Sequence, residues 1–415
     1  MKQILLIAIG LLLISCQPQN SKSDSKEGIS QNRLSRIDTM LEQAILDNKI
    51  PGAVAFVSRN GQTLYHKSFG ISNPITKERY KNDDIFRIAS MTKAVTSLAV
   101  LILWEEGKFF LDDPIEKYIP EFKNTGILNS FNAKDSTFTT TPNKKKITIR
   151  HLLTHTSGMG YGEIDGNSEI RAIYWKNNLR DIFAPNENMQ EVAAKIAKQP
   201  LHHEPDKKFT YSLGIDVLGY FIEKISGKPF PEFLKERIFN PLEMKDTYFT
   251  IPKEHHSRLV PVLTQKNGLW KMYSANHYNI RYPLLDSKTF FSGGAGLSST
   301  VEDYAKFLHV FINQGRSNGH QLIGKKTCEL LFENQLTGIE NWSHGLAFGL
   351  LSKKDLRKGT GGSEGTLTWG GYFNTSYFAD PNEKIIGIIY KQTRDISNDD
   401  TSQRFRELVF QSIVE

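Results

Sequence analysis

From Met91 to Trp104 the chain is mostly apolar, with Val95, Leu98, Val100, Leu101, Ile102 and Leu103 in one run that ends at Glu105-Glu106-Gly107. A helix that is apolar on nearly all sides is a buried one, and Gly107 is a natural C-terminal stop. The fold must therefore be built around this segment. It opens at Ser90, within Phe86-Arg87-Ile88-Ala89-Ser90-Met91-Thr92-Lys93. Free backbone N–H groups and the positive dipole end at a helix start favour an anion there. Residues i and i+3 share a helix face, so the Lys93 amine can reach the Ser90 hydroxyl. A serine hydroxyl is a poor nucleophile and a free lysine (pKa about 10.4) a poor base at neutral pH. Burial or neighbouring cations turn a lysine into a base. The spacing alone is weak evidence, since Ser23 and Lys26 repeat it in a polar tail. Taken alone, the stretch also fits a buried helix with a serine N-cap and a snorkelling lysine.

Two further stretches bear on the choice. Tyr211-Ser212-Leu213 precedes a run with apolar residues at 215, 217, 218, 221, 222 and 225, which is helical spacing. Tyr211 thus lies on the approach to a helix, where its phenol can point into a cleft or simply pack. Thr366-Leu367-Thr368-Trp369 reads as a short strand, and Gly370-Gly371 before Tyr372 suggests close approach of backbone to a ligand or to another segment. A glycine bulge on an edge strand fits those residues equally well.

In this order the three stretches resemble the serine β-lactamase and penicillin-binding-protein superfamily, in particular its class C-like branch with the family VIII carboxylesterases. The likeness covers nearly the whole mature chain. It includes Leu111-Asp112-Asp113-Pro114, His151-Leu152-Leu153-Thr154-His155-Thr156-Ser157-Gly158, Asn240-Pro241-Leu242 and Gly294-Ala295-Gly296-Leu297-Ser298-Ser299-Thr300. The resemblance implies that Ser90 is the acylated nucleophile, Lys93 its general base and Tyr211 a proton-relaying phenol. It implies an oxyanion hole from the backbone N–H groups of Ser90 and Tyr372. Leu213, Trp369, Gly370 and Gly371 then occupy the substrate-binding positions.

Two of those positions depart from the β-lactamase pattern. Leu213 stands where an asparagine amide would meet an acylamino side chain, and Trp369-Gly370-Gly371 stands where Lys-Thr-Gly would supply a cation. A lost buried hydrogen-bond partner costs roughly 1–3 kcal/mol, and more for a charge-assisted bond. Two such losses disfavour anionic amide substrates by orders of magnitude. Tyr-Ser-Leu with Trp-Gly-Gly looks like the esterase branch.

Gly361-Gly362-Ser363-Glu364-Gly365 fits the nucleophile elbow of α/β-hydrolases, but that motif needs a strand before it and a helix after it. Here the strand follows, which places Ser363 in a flexible loop at the mouth of the site. His151 and His155 stand at i and i+4, with Leu152 where a zinc-protease motif has Glu, and His202-His203-Glu204 reads as a solvated loop. Without a phosphate loop or a Rossmann glycine fingerprint, no cofactor, nucleotide or metal is expected. The chain has 415 residues, 39% of them hydrophobic, enough for a large core in one or two domains. Its formal charge of +7 comes from scattered lysines, which argues against nucleic-acid binding.

Met1-Lys2-Gln3, the apolar run Ile4 to Ile14 and Ser15-Cys16 read as a secretory signal, too short to span a bilayer as a stable helix. Leu13-Ile14-Ser15-Cys16 resembles the bacterial lipoprotein box. That makes Cys16 a diacylated N-terminus, leaves Cys328 unpaired and places the protein in the cell envelope. Residues 16–32 are expected to be a disordered tether. The remaining 33–415 form one catalytic domain, with an α/β part at about 33–110 and 245–415 and a helical part at about 111–245. Strands at 53–58 and 63–68 around Asn60-Gly61, and again at 369–371, 375–379 and 385–390, suggest one antiparallel sheet assembled from both termini. The expected class is α/β, β-lactamase/transpeptidase-like, with flanking helices and an inserted helical subdomain. Residues 124–146 are expected to be a polar surface insertion. The resulting reading is a serine hydrolase, foremost a carboxylesterase, acting on a small-molecule ester or amide. A D,D-peptidase or β-lactamase, a D-stereospecific aminopeptidase and an inactive cell-wall peptide-binding protein stand as alternatives.

Overall fold

The computed structural model describes residues 24–415 apart from 163, 181–182, 184–185 and 340–342. The signal segment and Cys16 lie outside the described residues. Residues 24–32, the end of the expected tether, are packed against the rest of the chain. Ser25–Lys26 pairs with Ile29–Ser30, Ile29 is fully buried, and Val414 N–H donates to Gly28 C=O at 2.9 Å. A buried isoleucine and the Arg59 guanidinium, which donates to the carbonyls of Glu27 and Glu415 at 2.9 Å each, fix this segment to the chain end.

Helix α1 (Arg36–Leu46) is followed by strands β1 (Gly52–Arg59), β2 (Gln62–Asn73) and β3 (Glu78–Arg79) and by the apolar helix α2 (Thr92–Glu105). The 124–146 insertion is a hairpin, β4 (Gly126–Asn132) and β5 (Thr137–Pro142). Apart from Ile127 and Leu128, which touch the core, its strands are mostly exposed, so no apolar alternation marks them in the sequence. Then come α3 (Ile149–Leu153), α4 (Met189–Ala197), α5 (Gly214–Ser226) and α6 (Val301–Ile312). Strands β6 (Gly349–Leu350), β7 (Leu367–Gly371), β8 (Thr375–Asp380) and β9 (Ile385–Tyr390) precede the last helix, α7 (Thr401–Gln411).

The seven strands form one antiparallel sheet in the order β6-β7-β8-β9-β1-β2-β3, so the two chain ends meet at its centre, where Ile385 pairs with Arg59 and Tyr390 with Val54. Strand alternation divides the core in two. Ala53, Ala55 and Val57 face one side and pack with Ile37 and Leu41 of α1 and Phe405 and Val409 of α7. Val54 and Phe56 face the other, with α2, α5 and α6. Gly371, at the end of β7, lies so close to the chain before α2 that a Cβ there would come within 2.4 Å of the Ile88 carbonyl oxygen. That close approach sets the strand end beside Ser90.

Candidate active site

Ser90 sits in a single 3-10 turn, Ala89–Met91, that runs into α2. The residue before it, Ala89, has φ +43°, a conformation that costs a non-glycine residue free energy and aims the next side chain. Three bonds hold the turn in place. Ile88 N–H donates to Leu297 C=O at 3.1 Å, Leu297 N–H to Thr92 Oγ1 at 3.1 Å, and the Tyr304 hydroxyl to Met91 C=O at 2.9 Å. These bonds over-determine the strained turn and fix the direction of the Ser90 side chain.

Lys93 lies one turn further along and is 2% exposed. Its Nζ donates to Gly294 C=O at 2.7 Å, to the Tyr161 hydroxyl at 3.1 Å and to Ser90 Oγ at 3.4 Å. From the segment before α5, the Tyr211 hydroxyl donates to Ser90 Oγ at 2.7 Å. The Tyr161 and Tyr211 rings stack at 5.1 Å and 10°, with Lys93 Nζ 5.0 and 4.6 Å from their centroids. Ser90 Oγ thus has an amine and a phenol within hydrogen-bond distance.

An aromatic and histidine layer supports Tyr211. His155 lies 4.7 Å from its ring, Trp369 lies 5.9 Å away, and His344 meets Trp369 edge-on at 5.4 Å. Burial, reinforced by His344 and Lys93, pushes His155 well below the usual imidazole range, and burial brings His344 down to about 4. Burial pushes the Tyr161 phenol well above its usual range, with Tyr211 adding to the shift. Both imidazoles and the Tyr161 phenol are therefore neutral around pH 7.

The structure brings together Ser90, Lys93 and Tyr211, and packs β7, with Trp369, Gly370 and Gly371, against the Ser90 turn. Trp369 and Tyr372 are partly exposed, whereas Leu213 is 3% exposed and belongs to the core. Ser363 is hydrogen-bonded at a place away from Ser90. It lies beyond the other end of β7, its N–H donating to Asp380 at 2.8 Å, and neighbouring Gly361 packs on Phe410 of α7. His151 accepts from Thr148 N–H as a helix cap, while His155 points under Tyr211. His202 is not solvated either, because it meets the buried carboxylate of Asp165 at 2.9 Å.

Sequence reasoning missed Tyr161, Gly294's carbonyl, His155 and His344 as neighbours of the site, and Asp216 behind it. Tyr161 stands only three residues past the His151–Gly158 block, and Asp216 is a lone carboxylate in an apolar run. The latter is the one signal that periodicity could have offered. A groove of about 700 Å³ between α1 and α7, with Met40, Ala44 and Leu408 among its walls, lies on the opposite face of the sheet from Ser90.

A family model described as Beta-lactamase matches residues 37–410. Esterase EstB of Burkholderia gladioli is 29% identical over 361 residues, 83% of this chain and 86% of that protein. The lovastatin esterase of Penicillium rubens is 27% identical over 384 residues, covering 85% and 91%. Among solved structures, EstCE1, titled a hydrolase with promiscuous acyltransferase activity, superimposes with a TM-score of 0.78 at 22% identity, covering 93% of this chain and 99% of that one. That match shows the fold alone. A family match over most of the chain, on a β-lactamase/transpeptidase fold, identifies the chain as a member of the Beta-lactamase family and a serine hydrolase.

Proposed function

We propose that this chain is a carboxylesterase that works through an acyl-enzyme on Ser90. The observation that carries the reading is the position of Ser90 Oγ, 2.7 Å from the Tyr211 hydroxyl and 3.4 Å from Lys93 Nζ. As Oγ attacks the ester carbonyl carbon, its proton passes to Lys93 and the carbonyl π electrons become the oxyanion. Backbone N–H groups of Ser90 and Tyr372 are the donors assigned to that oxyanion, and preorganised donors of this kind contribute about 3–4 kcal/mol each. Collapse breaks the bond to the alcohol oxygen, which takes a proton by way of Tyr211. Water then attacks the acyl-enzyme with the same groups in reverse roles, releasing the acid and restoring the Ser90 hydroxyl.

An ester is favoured over an amide by the apolar, partly exposed Trp369, and an alkoxide or phenoxide leaves more readily than an amine. The esterase names of the two relatives support the same choice. The test is labelling with a fluorophosphonate followed by kinetics on p-nitrophenyl butyrate and nitrocefin. The expected result is a mass adduct on Ser90, unaltered by Ser363→Ala, and a kcat/KM far higher for the ester. An adduct on Ser363 would overturn the nucleophile assignment. Equal or faster nitrocefin turnover would overturn the ester preference alone. We further infer, from Leu13-Ile14-Ser15-Cys16, a lipid-anchored protein of the cell envelope.

A further inference from the structure

Asp216 is a carboxylate in the first turn of α5 and is 3% exposed. Its Oδ1 accepts from the Ser292 hydroxyl at 2.5 Å and from Gly294 N–H at 3.1 Å. Its Oδ2 is buried with no hydrogen-bond partner, facing Gly294 so closely that a Cβ there would lie 2.4 Å away. A buried charge with an oxygen left over is costly unless a positive charge offsets it. Gly294 is also the residue whose C=O accepts from Lys93 Nζ. One residue therefore ties the carboxylate to the amine, N–H on one side and C=O on the other. Thr96 Oγ1 of α2 holds the same segment by donating to Gly293 C=O at 2.7 Å, so the arrangement is fixed from both helices.

We propose that Asp216 is the counter-ion of Lys93, a positioning residue whose negative charge stabilises the ammonium formed when Lys93 takes the Ser90 proton. The inference rests on the acyl-enzyme reading above. The positive end of α5 lies at Asp216 and helps to keep the carboxylate ionised. Burial, the larger effect, holds the Asp216 carboxyl above its usual range, and Lys93 opposes that rise, so the two groups act on each other. The other groups around Lys93 are the phenols of Tyr161 and Tyr211, the His155 imidazole, and the neutral Ser90 hydroxyl and Gly294 carbonyl. Among these described residues, Asp216 is the one carboxylate. The role differs from that of a carboxylate touching the base, because here a peptide residue keeps the two apart. The charge is felt, and no proton can cross.

The experiment is the pH dependence of kcat/KM on p-nitrophenyl butyrate for the wild type, Asp216→Asn and Ser292→Ala. Asparagine keeps the size and the acceptor for Ser292 and Gly294 but removes the charge. The acid limb, which reports protonation of the base, is expected about one pH unit lower in Asp216→Asn, with the plateau at least about ten-fold lower. Ser292→Ala removes a hydrogen bond to the carboxylate but no charge, and its limb stays at the wild-type position. An Asp216→Asn limb that does not move, whatever the plateau, overturns the proposal and leaves Asp216 a packing residue. If the asparagine variant does not fold, Asp216→Ser, which leaves room for water, is read by the same criterion. Fluorophosphonate labelling of Ser90 in the wild type is scored separately. Its absence would remove the acyl-enzyme reading, whereas labelling with an unmoved limb removes only the counter-ion.

Discussion

Tyr211→Phe isolates one atom of the site. The ring keeps its stack on Tyr161 at 5.1 Å and its contacts with His155 and Trp369 at 4.7 and 5.9 Å, so packing is retained. What is lost is the hydroxyl that donates to Ser90 Oγ at 2.7 Å. A single hydrogen bond of this kind contributes about 0.5–1.5 kcal/mol to stability, which in a domain of this size moves Tm by no more than about 3 °C. The cost to catalysis is larger, because a positioned proton-transfer group is worth roughly 10²–10⁴-fold, or about 2.7–5.5 kcal/mol of barrier. Tyr161→Phe is the internal comparison. It removes one of three acceptors from Lys93 Nζ, at 3.1 Å, and leaves the bonds to Ser90 and Gly294 in place. Losing a charge-assisted bond corresponds to about 10–100-fold. The assay is steady-state and pre-steady-state hydrolysis of p-nitrophenyl butyrate beside a thermal melt. Tyr211→Phe is expected to fall furthest at nearly unchanged Tm. A larger loss in Tyr161→Phe than in Tyr211→Phe would refute the reasoning and route the proton through Tyr161.

Lys93→Arg is expected to lose turnover as completely as Lys93→Ala, since a guanidinium cannot accept the Ser90 proton; measurable esterase activity in the arginine variant would remove Lys93 as the base. Stability should fall as pH drops from about 6.5 to 4. His344 binds a proton in the unfolded chain near 6.5 but in the folded one only near 4, so acid favours unfolding, by at most about 3 kcal/mol from this group. His155 acts in the same direction. In His344→Asn, whose amide can still donate to Gly345 C=O, the loss of Tm over that window should shrink; an unchanged loss would clear His344. Cys16→Ser should move the protein from the detergent phase to the aqueous phase in Triton X-114 partitioning, and an unchanged distribution would refute lipid anchoring.

The parts of the site that share short sequence windows were legible. Ser90 and Lys93 are three residues apart on one helix, and the Trp369-Gly370-Gly371 strand carries its own punctuation. The sheet was readable from its terminal strands because β1, β8 and β9 are buried, β-rich runs bounded by turns. What the sequence hid were contacts made across long separations. Nothing local in Tyr161 announces that it will stack on Tyr211, and nothing in Gly294 says that its carbonyl will receive a lysine amine. The hairpin at 126–142 was unreadable for the opposite reason, since both faces of its strands meet water over most of their length and leave no period-2 pattern. Residues 24–32 look like a polar tether in composition, yet one buried isoleucine at position 29 decides their structure.

The pairing of β9 with β1 sets when this protein can fold. The central ladder of the sheet joins Val54–Arg59 to Ile385–Tyr390, so β1 waits for a partner made about 330 residues later. At a synthesis rate of about 5–20 residues per second, that wait is roughly 15–65 s. During it, β1 has only the β2 hairpin as a neighbour, and its other edge, lined by Val54, Phe56 and Val57, is an open template for pairing. So non-local a ladder belongs to the slow end of folding. A chain cut short before Ile385 lacks both β9 and α7, and with them the pairing partner of β1 and part of the cover on the face that it shares with α1. Such fragments should aggregate rather than retain partial activity, even though Ser90, Lys93, Tyr211 and Trp369 all precede the cut.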